Sequence, residues 1–434
     1  MRLRFAAVVM ALAVSGPAAA EEETVAVDEE NAPNGYTPSE SSQSDSLRFT
    51  GYIDVGFAKA FGNGSSFVGG DTRVPADYGS DAFAPAVNSR GEVASTDAQG
   101  RFTNGFLPRS VGIGNRPSFL LNTASADVRY TPKGLPLFVF VRAQAMPRFN
   151  ATGDATRFDL QQAFGKLTPF SSAEFAVSLG KFDSVFGIEY LENEANLRTN
   201  ITPSLIARYT TGQSIGLKVF YRVQLPALWS AISINAAGTN SGTRIEALVP
   251  SSASLIGVPV GSARLGYELN LKEVQVKLGA SGLYGARNDQ LSPGALQRAF
   301  AFDLRVNLFG VSLAGEFLRL NDAHGPVGVK VTGQSGSAEI PSGFDVMGGW
   351  GRLAYTLPLT NEWFTGLTLY GRYDRRHGWF EGFTPMVTDR ITAGLRVDLF
   401  DMLAVKAEYL MNRELAGAPR VDNDVVTGSV VLTW

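Results

Sequence analysis

The side chains able to do chemistry in this 434-residue chain are carboxylates and guanidinium groups, because it holds no cysteine and only two histidines. Thiolate metal sites, iron–sulfur ligation, disulfides and cysteine nucleophiles are excluded. His324 stands in Asn321-Asp322-Ala323-His324-Gly325 and His377 in Arg375-Arg376-His377-Gly378-Trp379, both expected in loops and neither beside a triad-like partner. Gly62-Asn63-Gly64 is followed by no helix, so it is a turn and not a phosphate cradle. No calcium loop is present. The expectation is no enzyme, no metal and no cofactor.

The charged side chains follow a pattern of their own. Basic residues that fall on one alternating row are Arg48, Arg129, Arg142, Lys218, Arg222, Arg264, Lys277, Arg305, Arg352, Arg372, Arg390, Arg396 and Lys406. Acidic residues on the same rows are Asp54, Asp127, Asp159, Glu174, Glu268, Glu273, Asp303, Glu316, Asp374, Asp398 and Glu408. Charges of both signs on neighbouring strands can tie a wall together by ion pairs. They can also set up a transverse field that orients hydrated solutes. The excess of two positive groups is a weak pointer to anion preference.

The elements that carry these rows are long alternating segments. Val274, Val276, Leu278 and Ala280 alternate with Gln275, Lys277 and Gly279; Ile391, Ala393, Leu395, Val397 and Leu399 alternate with Thr392, Gly394, Arg396 and Asp398. Period-two alternation marks strands with one apolar face. Sixteen are expected: 47–60, 118–131, 136–147, 157–168, 173–186, 212–223, 228–238, 260–270, 272–285, 298–309, 311–320, 347–357, 363–374, 387–399, 402–413 and 423–434. Connections after even-numbered strands are short, and those after odd-numbered strands are long. An even count with alternating short and long connections is the pattern of an all-β, closed antiparallel transmembrane β-barrel, with short periplasmic turns and long extracellular loops. A bilayer core has no water to pair with N–H and C=O groups, so a sheet that spans it must close on itself. No stretch offers the roughly 20 continuous apolar residues of a membrane helix.

The last expected strand carries Val426, Gly428, Val430, Leu432 and Trp434 on one face. That end resembles the terminal signature of bacterial outer-membrane barrels, which the barrel-insertion machinery recognises. Tyr355, Tyr267, Trp363, Tyr373, Tyr284 and Tyr409 fall on apolar rows near strand ends, where an aromatic girdle against outer-membrane lipids belongs.

Upstream of the barrel the chain changes character. Arg2 and Arg4, the apolar run Phe5 to Val14 and Ala18-Ala19-Ala20 read as a signal peptide over 1–20. Residues 21–46 hold Glu21, Glu22, Glu23, Asp28, Glu29, Glu30, Glu40 and Asp45 without Lys or Arg, and read as a disordered acidic periplasmic linker. The signal carries +2 and this linker −8 of the net −3, which leaves 47–434 at +3. Such a balance gives no reason to expect a nucleic-acid partner.

Sixteen strands leave room for an aqueous channel unless loops fill it. The 57-residue connection 61–117 could narrow the pore or cover its mouth, with Arg101 and Arg109 as candidate constriction residues. A second candidate is Gly180-Lys181-Phe182-Asp183-Ser184-Val185-Phe186-Gly187-Ile188-Glu189-Tyr190-Leu191-Glu192-Asn193-Glu194-Ala195-Asn196. There Glu189, Glu192 and Glu194 could line a vestibule, pair with Arg198 and Arg208, or sit in solvent, the last being the default. This segment, with its Gly-Lys-Phe-Asp, Phe-Gly and acidic run leading to Asn, resembles the OmpL-like β-barrel porin family. The resemblance implies a porin-like channel and names no substrate. The functional expectation is passive diffusion of small hydrophilic solutes or ions through an outer-membrane pore, in a chain that trimerises as sixteen-stranded porins commonly do. The alternative is a loop-plugged barrel with an adhesive or envelope-organising role.

Overall fold

The computed structural model describes residues 46–60, 94–96, 102–106, 118–150, 153–170, 174–183, 185–192, 194–210, 213–240, 260–287, 295–322, 329–333, 336–340, 344–359, 363–380, 386–400, 402–415 and 424–434. In chain order the strands begin with β1 (Ser46–Ala60), β2 (Ala94–Thr96), β3 (Phe102–Phe106), β4 (Ser118–Thr131), β5 (Leu137–Asn150), β6 (Gly153–Leu167) and β7 (Glu174–Asp183). Next come β8 (Gln213–Leu225), β9 (Ser230–Thr239), β10 (Val260–Leu271), β11 (Val274–Arg287), β12 (Ala295–Leu308), β13 (Val311–Asp322), β14 (Val329–Gly333) and β15 (Gly336–Ile340). The last five are β16 (Phe344–Pro358), β17 (Phe364–Phe380), β18 (Met386–Leu399), β19 (Leu403–Glu414) and β20 (Val425–Thr433). β2 pairs with β3, and β14 with β15, as separate two-stranded ribbons in long connections. The other sixteen strands form one closed antiparallel barrel, each paired with its neighbours in sequence.

Closure is made by β1, which pairs with β4 on one side and with β20 on the other, from Tyr52↔Thr433 to Ala60↔Val425. Gly51 and the terminal Trp434 exchange both backbone bonds at 3.0 Å, so the last aromatic is sewn into the seam. A Cβ at Gly51 would stand 2.6 Å from the Trp434 ring, which is why this position has none. The turn between β12 and β13 is the pair Phe309–Gly310, both at positive φ (48° and 80°). That geometry matches the right-handed twist of the flanking strands.

Burial runs opposite to that of a water-soluble protein. Leu265, Leu278, Phe302, Leu313, Leu353, Leu369 and Leu395 are exposed on the outer face, while Arg142, Lys277, Asp303, Glu316, Arg352 and Glu408 on alternate positions are buried. Tyr267, Tyr284, Tyr355, Trp363, Tyr373 and Tyr409 are also exposed outward. Apolar outside and polar inside is what a hydrocarbon surround requires. Among the described residues no helix is long and apolar enough to cross a membrane.

Three expectations need correction. β17 continues six residues past its expected end, to Phe380. His377 therefore lies in a strand, opposite Met347 and Val387, and not in a loop. Alternation fades there because Arg375-Arg376-His377 has no apolar outward residue to mark the row. Glu273 lies in the β10–β11 turn rather than on the wall. The connection after β7 does not stay outside the barrel, as described below. His324, Arg101, Arg109 and most of 61–117 lie outside the described residues, as do 1–45.

Candidate functional site

The register places the inward side chains in rows across β11, β12, β13 and β16. One row is Leu283, Ala299, Leu320 and Val346; the next is Ser281, Ala301, Leu318 and Gly348. Below them lie Gly279, Asp303, Glu316 and Trp350, and then Lys277, Arg305, Ala314 and Arg352. An apolar strip thus stands above a charged one on the same wall. The lower rows contain directly opposed like charges: Asp303 with Glu316, Lys277 with Arg305, Arg352 with Arg372, and Arg396 with Lys406. Such pairs destabilise a sheet unless something compensates them.

The compensation comes from the segment 185–210. It leaves the end of β7 and enters the barrel, where it makes a one-turn 3-10 helix (Glu189–Glu192) and a short α-helix (Ala207–Thr210). Val185 joins Phe138, Phe140, Phe164, Phe182 and Ala237 in an inward apolar cluster. Phe186, Ile188, Leu205 and Ile206 are almost fully buried. Ile206 packs on Gly348, where a Cβ would come within 2.7 Å of its Cγ2. Ala195 reaches Tyr52, Ala404 and Val431 across the seam.

Polar anchoring follows one rule: wall carboxylates take the segment's amides, and wall cations take its carbonyls. Ile188 and Glu189 each donate a backbone N–H to Glu316 Oε2 at 3.2 Å, and Gly187 N–H donates to Ser281 Oγ at 3.0 Å. Glu408 accepts from Ile201 N (2.8 Å), Thr202 N (3.0 Å), Thr202 Oγ1 (2.8 Å), Asn200 Nδ2 (3.3 Å) and Tyr370 Oη (2.9 Å). Asp374 accepts from Leu205 N at 3.2 Å. In the other direction, Arg372 donates to the Thr202 and Pro203 carbonyls at 2.7 and 2.9 Å, and Arg390 also donates to Pro203. Lys406 donates to the carbonyls of Ala195 (2.6 Å) and Arg198, and Arg396 to that of Arg198 at 3.2 Å.

The three candidate glutamates of this segment are therefore inside the barrel, which overturns the default that they sit in solvent. Glu192 and Glu194 pair mainly with wall groups rather than with the arginines nearby in sequence, and Glu189 pairs within the segment. Glu192 is held by Arg352 (2.7 and 2.9 Å) and Arg305 (3.1 Å). Glu194 accepts from Arg142 Nη1 at 2.9 Å, Gln144 Nε2 at 2.6 Å and Tyr52 Oη at 2.5 Å. Glu189 takes the Ser204 amide at 2.6 Å and its hydroxyl, closing the segment on itself. Burial pushes the Glu192 carboxyl up, but Arg352 and Arg305, with Arg198, outweigh it and hold the group at about 2. For Glu189 burial wins over Arg372 and the Ser204 bonds, and its carboxyl lies above the ordinary range.

Several other candidates pair within the wall. Arg142 also binds Asp127 through both oxygens (2.8 and 2.7 Å), with Arg129 3.9 Å from the same carboxylate. Arg222 bridges Glu174 at 3.1 Å and Glu268 at 2.7 Å, and Lys277 approaches Glu268 at 3.8 Å. Arg264 grips Asp303 at 3.0 and 2.6 Å, and Arg396 pairs with Asp398 at 2.8 Å. Lys218 lies over the Phe182 and Phe164 rings at 5.2 and 5.9 Å. Sequence reading missed Tyr52, Gln144, Tyr370 and Ser204. The first three stand on the same alternating rows as Asp54, Arg142 and Arg372, so row parity could have found them; Ser204 carried no such signal. Among the described residues no group of His, Asp or Glu is placed to hold a metal ion.

No protein-family model matches the chain, and no curated protein matches it. Solved structures do. The outer-membrane channel DcaP of Acinetobacter baumannii aligns with a TM-score of 0.52 at 8% identity, over 90% of this chain and 98% of that one. An anion-selective porin from Comamonas acidovorans gives 0.49 at 13% identity over 90% and 100% of the two chains. OmpT of Vibrio cholerae gives 0.49 at 10% identity over 91% and 99%. At such identities the likeness is one of fold: this chain is a closed sixteen-stranded barrel of the kind outer-membrane channels have, and that fold with its apolar belt places it in the outer membrane.

Proposed function

We propose that the protein is a porin-like channel for passive diffusion of small hydrophilic solutes or ions, with 185–210 as its internal constriction. The observation that carries this reading is the charge still open to water beside the segment. The side chains of Arg264, Arg305 and Arg396 are 14%, 20% and 20% exposed, Asp398 is 30% exposed and Glu192 15%. These inward groups of both signs would line a narrow aqueous path between wall and segment, and the cations among them support weak anion preference. The Gly180 to Asn196 motif supports placement beside the OmpL-like porins. Export by a signal peptide over 1–20, an acidic linker over 21–46, insertion through the C-terminal strand and assembly as a homotrimer belong to the same proposal.

Planar-bilayer recording of the purified full chain tests it. Discrete conductance steps with a reversal potential shifted toward the anion value are expected; current no greater than that of protein-free bilayers would remove the proposal. The second reading, a barrel closed by its own loop with an adhesive or organising role, draws on the near-complete burial of Phe186, Ile188, Leu205 and Ile206, which pack as a core does. A silent but folded barrel would favour it.

A further inference from the structure

The outer face of the barrel is apolar until β12–β19 rise above the belt. Arg319 is on an outward row between Phe300 and Met347, and His377 is on the far side of Met347. Arg375 lies two residues nearer the belt on β17, opposite Gly349 and Asp389, and Asp389 in turn faces Arg413. Arg298 stands one row above, beside Asn321, to whose Oδ1 it donates at 3.0 Å. Four guanidinium groups and an imidazole thus gather on membrane-facing positions at the end of the barrel that carries the long loops.

Two of the ion pairs in this patch are long. Arg319 is 4.0 Å from Asp345 and Arg375 is 3.7 Å from Asp389, and the Arg375 side chain is 54% exposed. Asp389 already accepts the Tyr373 hydroxyl at 2.8 Å. Directly beneath the patch lies an aromatic face, with Phe300 in ring contact with Phe302 and Phe317 at 6.1 and 6.5 Å. An outward Arg at the bilayer midplane costs about 2–4 kcal/mol, falling to about 0–1 near the interface. The cations therefore sit at headgroup level, where planar guanidinium groups recognise phosphate through paired N–H donors.

We propose that Arg319, Arg375 and His377 form a binding site for the phosphate of an outer-leaflet lipid headgroup, whose acyl chains lie on the Phe300, Phe302, Phe317 and Met347 face below. A free phosphate is the less suited ligand, because the patch is flush with the belt and half of the recognition surface is apolar. The site does not depend on whether the lumen conducts.

Native mass spectrometry of the detergent-purified full chain with bisphosphorylated lipid A, dephosphorylated lipid A or inorganic phosphate tests the assignment. The wild type should retain the bisphosphorylated lipid at least tenfold more than the dephosphorylated one and show no saturable binding of inorganic phosphate. The combined Arg319→Gln, Arg375→Gln and His377→Asn variant should lose that preference, whereas Lys181→Gln, on the outward row of Ile215, should keep it. Should the combined variant fail to fold, as judged by heat-modifiable gel mobility, Arg375→Gln alone should lower retention threefold or more. Equal retention of the two lipids, preference surviving substitution, or inorganic phosphate displacing the lipid would each overturn the proposal.

Discussion

Gly187 is the position where one added methyl group should release the internal segment. Its φ is +76°, and a Cβ there would lie 2.9 Å from the Glu316 carboxyl carbon and closer still to Oε1. In Gly187→Ala the backbone conformation alone costs about 1–2 kcal/mol. Glu316 would also have to turn away, losing the Ile188 and Glu189 amides it now accepts. The two hydrogen bonds contribute about 0.5–1.5 kcal/mol each, so the total against docking is about 2–5 kcal/mol. Since ~1.4 kcal/mol is tenfold, the docked fraction of this end of the segment should fall by roughly thirtyfold or more. Planar-bilayer recording should then show larger or noisier current than the wild type, whether the wild-type pore is narrow or shut. Gly134→Ala is the control, because Gly134 also has a positive φ (+70°) but has nothing within 4 Å of its would-be Cβ. Identical traces from Gly187→Ala and the wild type, with the barrel folded, would refute the idea that Glu316 fastens the segment.

Four other substitutions probe the same clasp. Glu408→Gln replaces a carboxyl acceptor of five bonds by an amide with one acceptor oxygen; cleavage by added protease within 194–206 should quicken by tenfold or more, read on a gel after brief digestion. Glu192, held at about 2 against 4.5 for the free group, contributes roughly 3 kcal/mol that is fully present above pH 4.5 and fades as pH falls through 2. Glu192→Gln should remove that contribution, so its thermal midpoint should lie below the wild type at pH 7 and converge with it in strong acid. Glu189 has the opposite sign: its raised carboxyl stabilises below pH 4.5 and loses that effect as pH rises through the folded value. Glu189→Gln should therefore unfold no earlier than the wild type at pH 7, and a midpoint several degrees lower would contradict this. Arg142→Met leaves Asp127 and Glu194 buried without their shared partner, at a cost of about 3–5 kcal/mol, measurable as a lower guanidinium midpoint.

The wall was legible in the sequence because a barrel repeats one constraint. Every second residue faces hydrocarbon, so Leu278 against Lys277, or Leu395 against Arg396, announces both the strand and its inward side. Strand ends were less so: above the belt the outward residue is free to be Arg375 or His377, and the alternation that located β17 stops six residues early. The segment 185–210 was legible as a candidate constriction, but its path inside the barrel was not. Its Phe186, Ile188, Leu205 and Ile206 have neither strand nor helix periodicity, since each is buried against a different part of the wall. Its glutamates looked like solvent residues because their partners, Arg352 and Arg142, are 160 and 52 positions away. Local pattern carries no record of a contact made across a lumen.

The wall charges carry a second meaning once the segment is in place. A barrel meant only to hold water would gain nothing from setting Lys277 against Arg305, Arg352 against Arg372 and Arg396 against Lys406. Each like-charge pair becomes tolerable when a counter-group stands between its members, and 185–210 supplies several: the Glu192 carboxylate for Arg305 and Arg352, the Thr202 and Pro203 carbonyls for Arg372, the Arg198 carbonyl for Arg396 and Lys406. The reciprocal holds for Glu316 and Glu408, whose carboxyl oxygens accept backbone amides of the same segment. Wall and segment are thus two halves of one electrostatic structure. Displacing the segment would expose cations to the lumen in adjacent pairs, so any motion that widens the path also makes it more positive, and conductance and anion preference should rise together.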